Sequence, residues 1–219
     1  GGGLMPASPA FLERLARVVP DLARGYGTPF HVYDAAGILA SHRAVVSAFG
    51  DWPARQHFAV KALPNPAVLK LLAEAGSGLD CSSPAELLLA DAAGVTGRDI
   101  VFTSNNTTRA EYEMALARGC LVTFDDVAHM DRAQRLPGTV AFRVAPHTGG
   151  ASSALMGAAG ASKFGVPRGR LAEAYARARA RGARSFGIHG MTCANELDLA
   201  RALQAARDLV ATALEVERE

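Results

Sequence analysis

One lysine stands where chemistry is easiest to place. In HFAVKALPN (57–65) an apolar run, His57-Phe58-Ala59-Val60, delivers Lys61, and Pro64 stops it. A lysine held in an apolar pocket has a depressed pKa, so its free amine can attack an aldehyde. In an α/β barrel reactive side chains sit at the C-terminal ends of strands, and Lys61 falls at such an end. The bland alternative is a lysine that opens a loop and points to water. Three cysteines, Cys81, Cys120 and Cys193, are odd in number and widely spaced. That pattern speaks against a disulfide framework or a zinc site and fits a reducing compartment. No metal is expected.

The elements around Lys61 follow a beat. Short β-rich runs alternate with Ala- and Leu-rich helical patterns closed by glycine. The strand candidates are HFAVKA (57–62), GLDCSS (78–83), DIVFTSN (99–105), CLVTFDD (120–126), TVAFRVAP (139–146) and SFGIHGM (185–191). The helices between them read PAVLKLLAEAG, PAELLLADAAG, TRAEYEMALARG, VAHMDRAQRL and RGRLAEAYARARARG. Gly76, Gly94, Gly119 and Gly182 fall where helix C-caps belong, and Pro66 and Pro84 fall near helix starts. Strict alternation predicts a parallel sheet. Little polar alternation along the strands predicts a sheet covered on both faces. An open doubly wound sheet and a (β/α)8 barrel both fit. No GxGxxG or GxxxxGK[ST] follows the first strand, which takes weight from nucleotide-binding versions.

Ahead of the beat, residues 8–27 read as an amphipathic helix, TPFHVYD (28–34) as one more strand, and 35–50 as a helix. The expected domains are residues 1–35, an N-terminal helix and strand leading into the barrel, and residues 36–219, a partial (β/α) barrel. Gly1 to Gly3 reads as an addition ahead of a natural start near Met5. Six strands and a long last helix (196–219) leave the barrel about two strands short of the usual eight. Two open sheet edges predict self-association.

Bulk composition excludes several classes. The 219 residues carry a net charge of +2, from 23 basic and 21 acidic side chains, which argues against a nucleic-acid footprint. ARARARGAR (176–184) alternates arginine with alanine and reads as a solvated helix face. No run approaches the ~20 apolar residues of a membrane span. The start has no basic-then-apolar signal pattern. A cytoplasmic protein is expected.

The motifs in order resemble the fold-type III pyridoxal-phosphate decarboxylases, the ornithine, lysine, arginine and diaminopimelate enzymes, most of all diaminopimelate decarboxylase. TPFHVYD is similar to that family's opening strand, and AVKA-x-PN to the segment carrying its cofactor lysine. GSGLDCSS resembles the second strand, FRVAP the fifth, and GIHGMTCANELD the sixth. SKFG (162–165) is similar to a signature loop. The resemblance implies an alanine-racemase-like (β/α)8 barrel, incomplete here, with pyridoxal 5'-phosphate as cofactor. It implies Lys61 as the catalytic, cofactor-holding residue, with Asp80, Arg143, His189 and Met191 against the cofactor. Each has a bland alternative: Asp80 as a helix cap, Arg143 as a buried structural ion pair, His189 as a hydrogen-bonded core residue. Many relatives read H-x-H-x-G-S in the sixth strand. Here Met191 takes the second histidine's place, and Cys193 and Ala194 replace the Gly-Ser. A thioether still packs on an aromatic ring but donates no hydrogen bond.

The implied activity of the full-length parent is decarboxylation of an amino acid, diaminopimelate-like and lysine-forming, in a homodimer with a small amino-acid substrate. The β-rich C-terminal domain that relatives add is expected to be absent, so this chain alone reads as a truncated or inactive form. Two other readings stay open: a non-enzymatic pyridoxal-phosphate-binding barrel protein, and a fragment without function.

Overall fold

The computed structural model describes residues 7–145, 164–191 and 197–218. Six parallel strands form one sheet: β1 (His57–Ala59), β2 (Gly78–Cys81), β3 (Ile100–Thr103), β4 (Leu121–Phe124), β5 (Thr139–Arg143) and β6 (Ser185–His189). Their spatial order is their chain order, each pairing in parallel with the next. That order separates the two architectures the alternation left open. A doubly wound sheet reverses direction at a switch point, whereas a barrel advances one strand at a time. The sheet is the advancing kind, as an incomplete (β/α)8 barrel requires.

Helices α1 (Pro9–Tyr26) and α2 (Ala35–Ser47) precede the sheet. Three short helices then alternate with strands: α3 (Pro66–Glu74), α4 (Pro84–Ala92) and α5 (Arg109–Ala117). They are followed by α6 (Leu171–Ala180) and α7 (Leu199–Arg218). None is long and apolar enough to cross a membrane. Local chemistry fixes their starts. Asn65 accepts from the Ala67 and Val68 amides at 3.0 and 3.2 Å, with Pro66 as the first helical residue. Thr108 and Glu111 close a reciprocal capping box on α5.

The strands alternate more than the expectation of little polar alternation allowed. Leu79, Cys81, Ile100, Phe102, Val122, Phe124, Val140 and Phe142 all belong to one buried cluster with side chains of the helices. The intervening positions hold His57, Asp80, Thr103, Thr123, Arg143 and His189, interspersed with Ala59, Val101, Leu121, Ala141 and Gly187. Successive side chains of a strand point to opposite faces, so one face packs on helices and the other carries a polar row. The apolar face is knit by aromatics: Tyr112 lies 5.0 Å from Phe124, Phe124 6.0 Å from Phe142, and Phe142 5.2 Å from Tyr175.

Three predicted elements differ. Residues 28–34 join no sheet, because none of the described strands offers them a ladder partner. VAHMDRAQRL forms a 3-10 turn, Val127–Arg132, in place of an α-helix. Its buried residues Val127, Met130 and Ala133 recur every three positions, the period of a 3-10 helix. HFAVKA ends as a strand at Ala59, and Val60–Ala62 turn as 3-10. The arginines of α6 are more than a solvated face. Arg177 pairs with Asp131 at 2.7 Å, and Arg181 donates to the Met130 and Ala133 carbonyls at 2.6 and 2.9 Å. Together they hold the turn after β4.

Candidate cofactor site

Lys61 is placed by its neighbours. Val60 is fully buried and anchors the turn, the Leu63 amide donates to the Val60 carbonyl at 3.2 Å, and capped α3 follows at once. The backbone is thus fixed on both sides, while the lysine side chain is exposed. This corrects the expected apolar pocket: among the described residues Lys61 opens onto the polar face. Its charge acts on both Asp80 and His189, so it faces the strand ends.

Asp80 points to the same face and accepts a hydrogen bond from the Thr103 hydroxyl of the next strand. Burial raises its pKa, opposed by the Thr103 bond and the Lys61 charge. It is not a helix cap. Ser83 caps α4, accepting from the Glu86 amide at 3.3 Å, and Glu86 reaches back to the Ser82 amide at 2.9 Å.

Arg143 closes β5 and is 5% exposed. Its Nη1 donates to Asn105 Oδ1 at 2.8 Å and to Asp125 Oδ1 at 3.2 Å. The Phe164 ring lies 5.0 Å from the guanidinium carbon. His189 is its register partner on β6. Burial, then the Arg143 and Lys61 charges, push the imidazole down to about 4, so the ring is neutral at neutral pH. Three buried polar atoms, His57 Nε2 at the start of β1 and, at the strand ends, Arg143 Nε and His189 Nδ1, have no hydrogen-bond partner among the described residues. Met191 follows β6, half-buried. Cys193, Ala194 and the Ser162-Lys163 half of SKFG lie outside the described residues.

The structure therefore brings Lys61, Asp80, Arg143 and His189 to one end and one face of the sheet. It adds Phe164 of the SKFG motif, and Thr103, Asn105 and Asp125, which the sequence reading did not single out. The signal for three of them was present: Thr103, Asn105 and Asp125 sit at or just past the ends of strands already assigned. Concavity alone would point elsewhere. A groove of about 610 Å3 lies between α1, α2 and β1, another of about 640 Å3 between β6 and α7, and Lys61 lines neither.

His189 gives a pH prediction. Its folded pKa lies below the unfolded value, so the unfolded chain binds the proton more readily. Stability from this group is complete above about pH 6.5 and is lost as pH falls from there through about 4. The raised carboxyls Asp80 and Asp125 work the other way, losing stability as pH rises through their elevated values. Denaturant melts of wild type and His189→Gln between pH 4 and 7 should differ by up to about 3 kcal/mol across that window. Parallel curves would contradict the assignment.

A sequentially wound α/β barrel sheet with a lysine just past its first strand, facing an acid, an arginine and a neutral imidazole, defines a class of cofactor-binding barrel. A family model described as "Pyridoxal-dependent decarboxylase, pyridoxal binding domain" matches residues 35–216. Protein TabA of Pseudomonas amygdali pv. tabaci is 54% identical over 215 residues, which are 98% of this chain and 51% of that protein. The diaminopimelate decarboxylase of Thermoplasma acidophilum is 29% identical over 202 residues, 92% of this chain and 50% of that one. Diaminopimelate decarboxylase from Helicobacter pylori, solved in complex with L-lysine, superposes with a TM-score of 0.83 at 22% identity. That match covers 91% of this chain and 53% of the other and shows the shared fold. The chain belongs to the pyridoxal-dependent decarboxylase family, whose cofactor is pyridoxal phosphate, and corresponds to its N-terminal barrel portion. It spans about half the length of the curated relatives it matches.

Proposed function

We propose that this chain supplies the cofactor lysine and the surrounding strand ends of an amino-acid decarboxylase that acts, as a cytoplasmic homodimer, on diaminopimelate or a similar cationic amino acid. The observation that carries this reading is the single end of the sheet where Lys61 meets Asp80, Arg143 and His189. The residues fit an anionic aldehyde cofactor. Among the described residues two cations, Lys61 and Arg143, face the site, and the buried Arg143 Nε and His189 Nδ1, unpartnered among those residues, fit polar groups of a bound molecule.

Each side chain has a task in this reading. Lys61 offers the amine that holds the cofactor's aldehyde carbon. Its exposure leaves that amine reachable by a cofactor arriving from solvent. Asp80, with Thr103 fixing one oxygen, places a carboxyl within reach of the Lys61 charge, which opposes the effect of burial on that carboxyl. Arg143 keeps a permanent cation at the end of β5. His189, neutral, presents a ring without adding a third positive charge, and Met191 offers a polarizable surface for ring packing. When bound, pyridoxal phosphate supplies the electron sink that decarboxylation requires.

The substrate is the finer part of the proposal. It is supported by relatives named diaminopimelate decarboxylase, at 29% identity over 202 residues for one of them, whereas the 54% identical relative carries a name that states no substrate. Carbon dioxide release from the complete polypeptide tests it, with diaminopimelate, lysine, ornithine and arginine offered in turn. Diaminopimelate should be turned over fastest. Release from none of them by cofactor-loaded protein would contradict decarboxylation and favour a binding protein.

A further inference from the structure

We propose that Asp125 is a positioning residue of the cofactor site: by holding Arg143 and the Gly165 amide together, it sets the direction in which the guanidinium meets bound cofactor. This rests on the function proposed above and adds a residue to it. Asp125 follows β4 and is 6% exposed, against 5% for Arg143. Its carboxylate accepts from Arg143 Nη1 at 3.2 Å, and the Gly165 backbone amide acts on it as a hydrogen-bond donor that opposes the effect of its burial.

Gly165 belongs to the stretch where the chain returns to the sheet. The Val166 amide donates to the Arg143 carbonyl at 2.7 Å, and the Ala145 amide donates to the Val166 carbonyl at 3.0 Å. The approach is close enough that only glycine fits. Gly165 has φ +86°, and a Cβ there would lie 2.6 Å from the Ala145 nitrogen. The same segment lays Phe164 over the guanidinium. Asp125 therefore acts on both halves of one assembly, the arginine and the segment that covers it.

Donor geometry explains why direction matters. A guanidinium is a rigid planar fork with five N–H groups. Asn105 and Asp125 engage Nη1, and Phe164 covers a face. The Nε–H is left buried with no acceptor among the described residues. A charged donor in that state is costly unless a ligand completes it. With the plane fixed by Asp125, the Nε–H has one orientation, and the ligand that completes it must come to that line.

The test is a cycle of cofactor affinities on Asp125→Asn, Arg143→Gln and the double variant, measured by pyridoxal phosphate titration. Asp125→Asn should weaken binding about tenfold or more, because it leaves Arg143 buried without its counter-charge. In the Arg143→Gln background the same change should cost less than about twofold, since Asp125 acts through Arg143. Penalties that multiply would overturn the proposal. Because Asp125→Asn alone can fail to fold, Asp125→Glu is measured beside it. It keeps the charge and moves the contact, and it should lose affinity at an unchanged melting temperature. Wild-type affinity in Asp125→Glu would also overturn the proposal.

Amide exchange in the cofactor-free chain separates this from the function itself. Exchange at Val166 should quicken about tenfold in Asp125→Glu while Phe142 stays protected. No local change at Val166 would overturn the latch. Quickened exchange in a protein whose wild type takes up no cofactor would overturn both the proposed function and the positioning role, leaving the pair as a fold latch only.

Discussion

Replacing Lys61 by alanine is expected to abolish retention of pyridoxal phosphate through gel filtration while leaving the melting temperature near that of wild type. The side chain is exposed, and its neighbours Val60 and Asn65 hold the backbone without it. A surface substitution of this kind usually changes stability by about 0.5 kcal/mol or less. The covalent tether, by contrast, has no second lysine to replace it among the described residues of the site. Arg143 is a cation but not a nucleophile at accessible pH, and His189 has no charge to contribute. In the complete polypeptide, decarboxylation should fall at least about a thousandfold. Lys61→Arg refines the test. It preserves the positive charge facing Asp80 and His189, so electrostatic attraction of the phosphate survives while retention is lost. Retention by Lys61→Ala would mean that the residue is a loop lysine after all.

Phe124→Ala is expected to cost about 3–5 kcal/mol of stability, the range for deleting a fully buried aromatic ring. Phe124 has no solvent exposure and sits between Tyr112 and Phe142 on the apolar face. The effect should not stop at stability. Phe124 immediately precedes Asp125, and Phe142 immediately precedes Arg143. Side chains alternate along a strand, so aromatic packing on one face sets where the ion pair stands on the other. Cofactor affinity should therefore fall in Phe124→Ala under conditions where the protein remains folded. Leu88→Ala, at a position 56% exposed on α4, is the matched control and should change stability by about 0.5 kcal/mol or less. Denaturant unfolding of both variants checks the first claim. Equal, small effects would contradict the packing described.

What the sequence made legible were elements whose signals are local. All six strands after residue 55 lie within the predicted runs, because apolar stretches closed by glycine-capped helices need no tertiary information. The position of Lys61 just past the first strand was legible in its motif, and the structure adds how the chain continues: Asn65 caps α3 and Pro66 starts it. Long-range pairing was not legible. The winding order of the sheet came only from the strand registers. TPFHVYD has the composition of a strand, yet strandedness needs a partner, and none of the described residues provides one. VAHMDRAQRL has helix-forming composition, but its apolar period of three favours the tighter turn. Asn105 and Asp125 escaped notice because their roles depend on Arg143, 38 and 18 residues away in the chain. The apolar pocket expected for Lys61 failed for the same reason: the residues facing it, Asp80 and His189, are polar and come from other strands.

The central claim is that Lys61 is the residue that takes the cofactor. Incubating the chain with pyridoxal phosphate, reducing with borohydride, and recording the intact mass followed by a peptide map tests it most directly. One adduct, mapped to the peptide holding Lys61 and absent from Lys61→Ala, is the predicted result. No adduct on folded protein, or an adduct that persists at another lysine in Lys61→Ala, would contradict it.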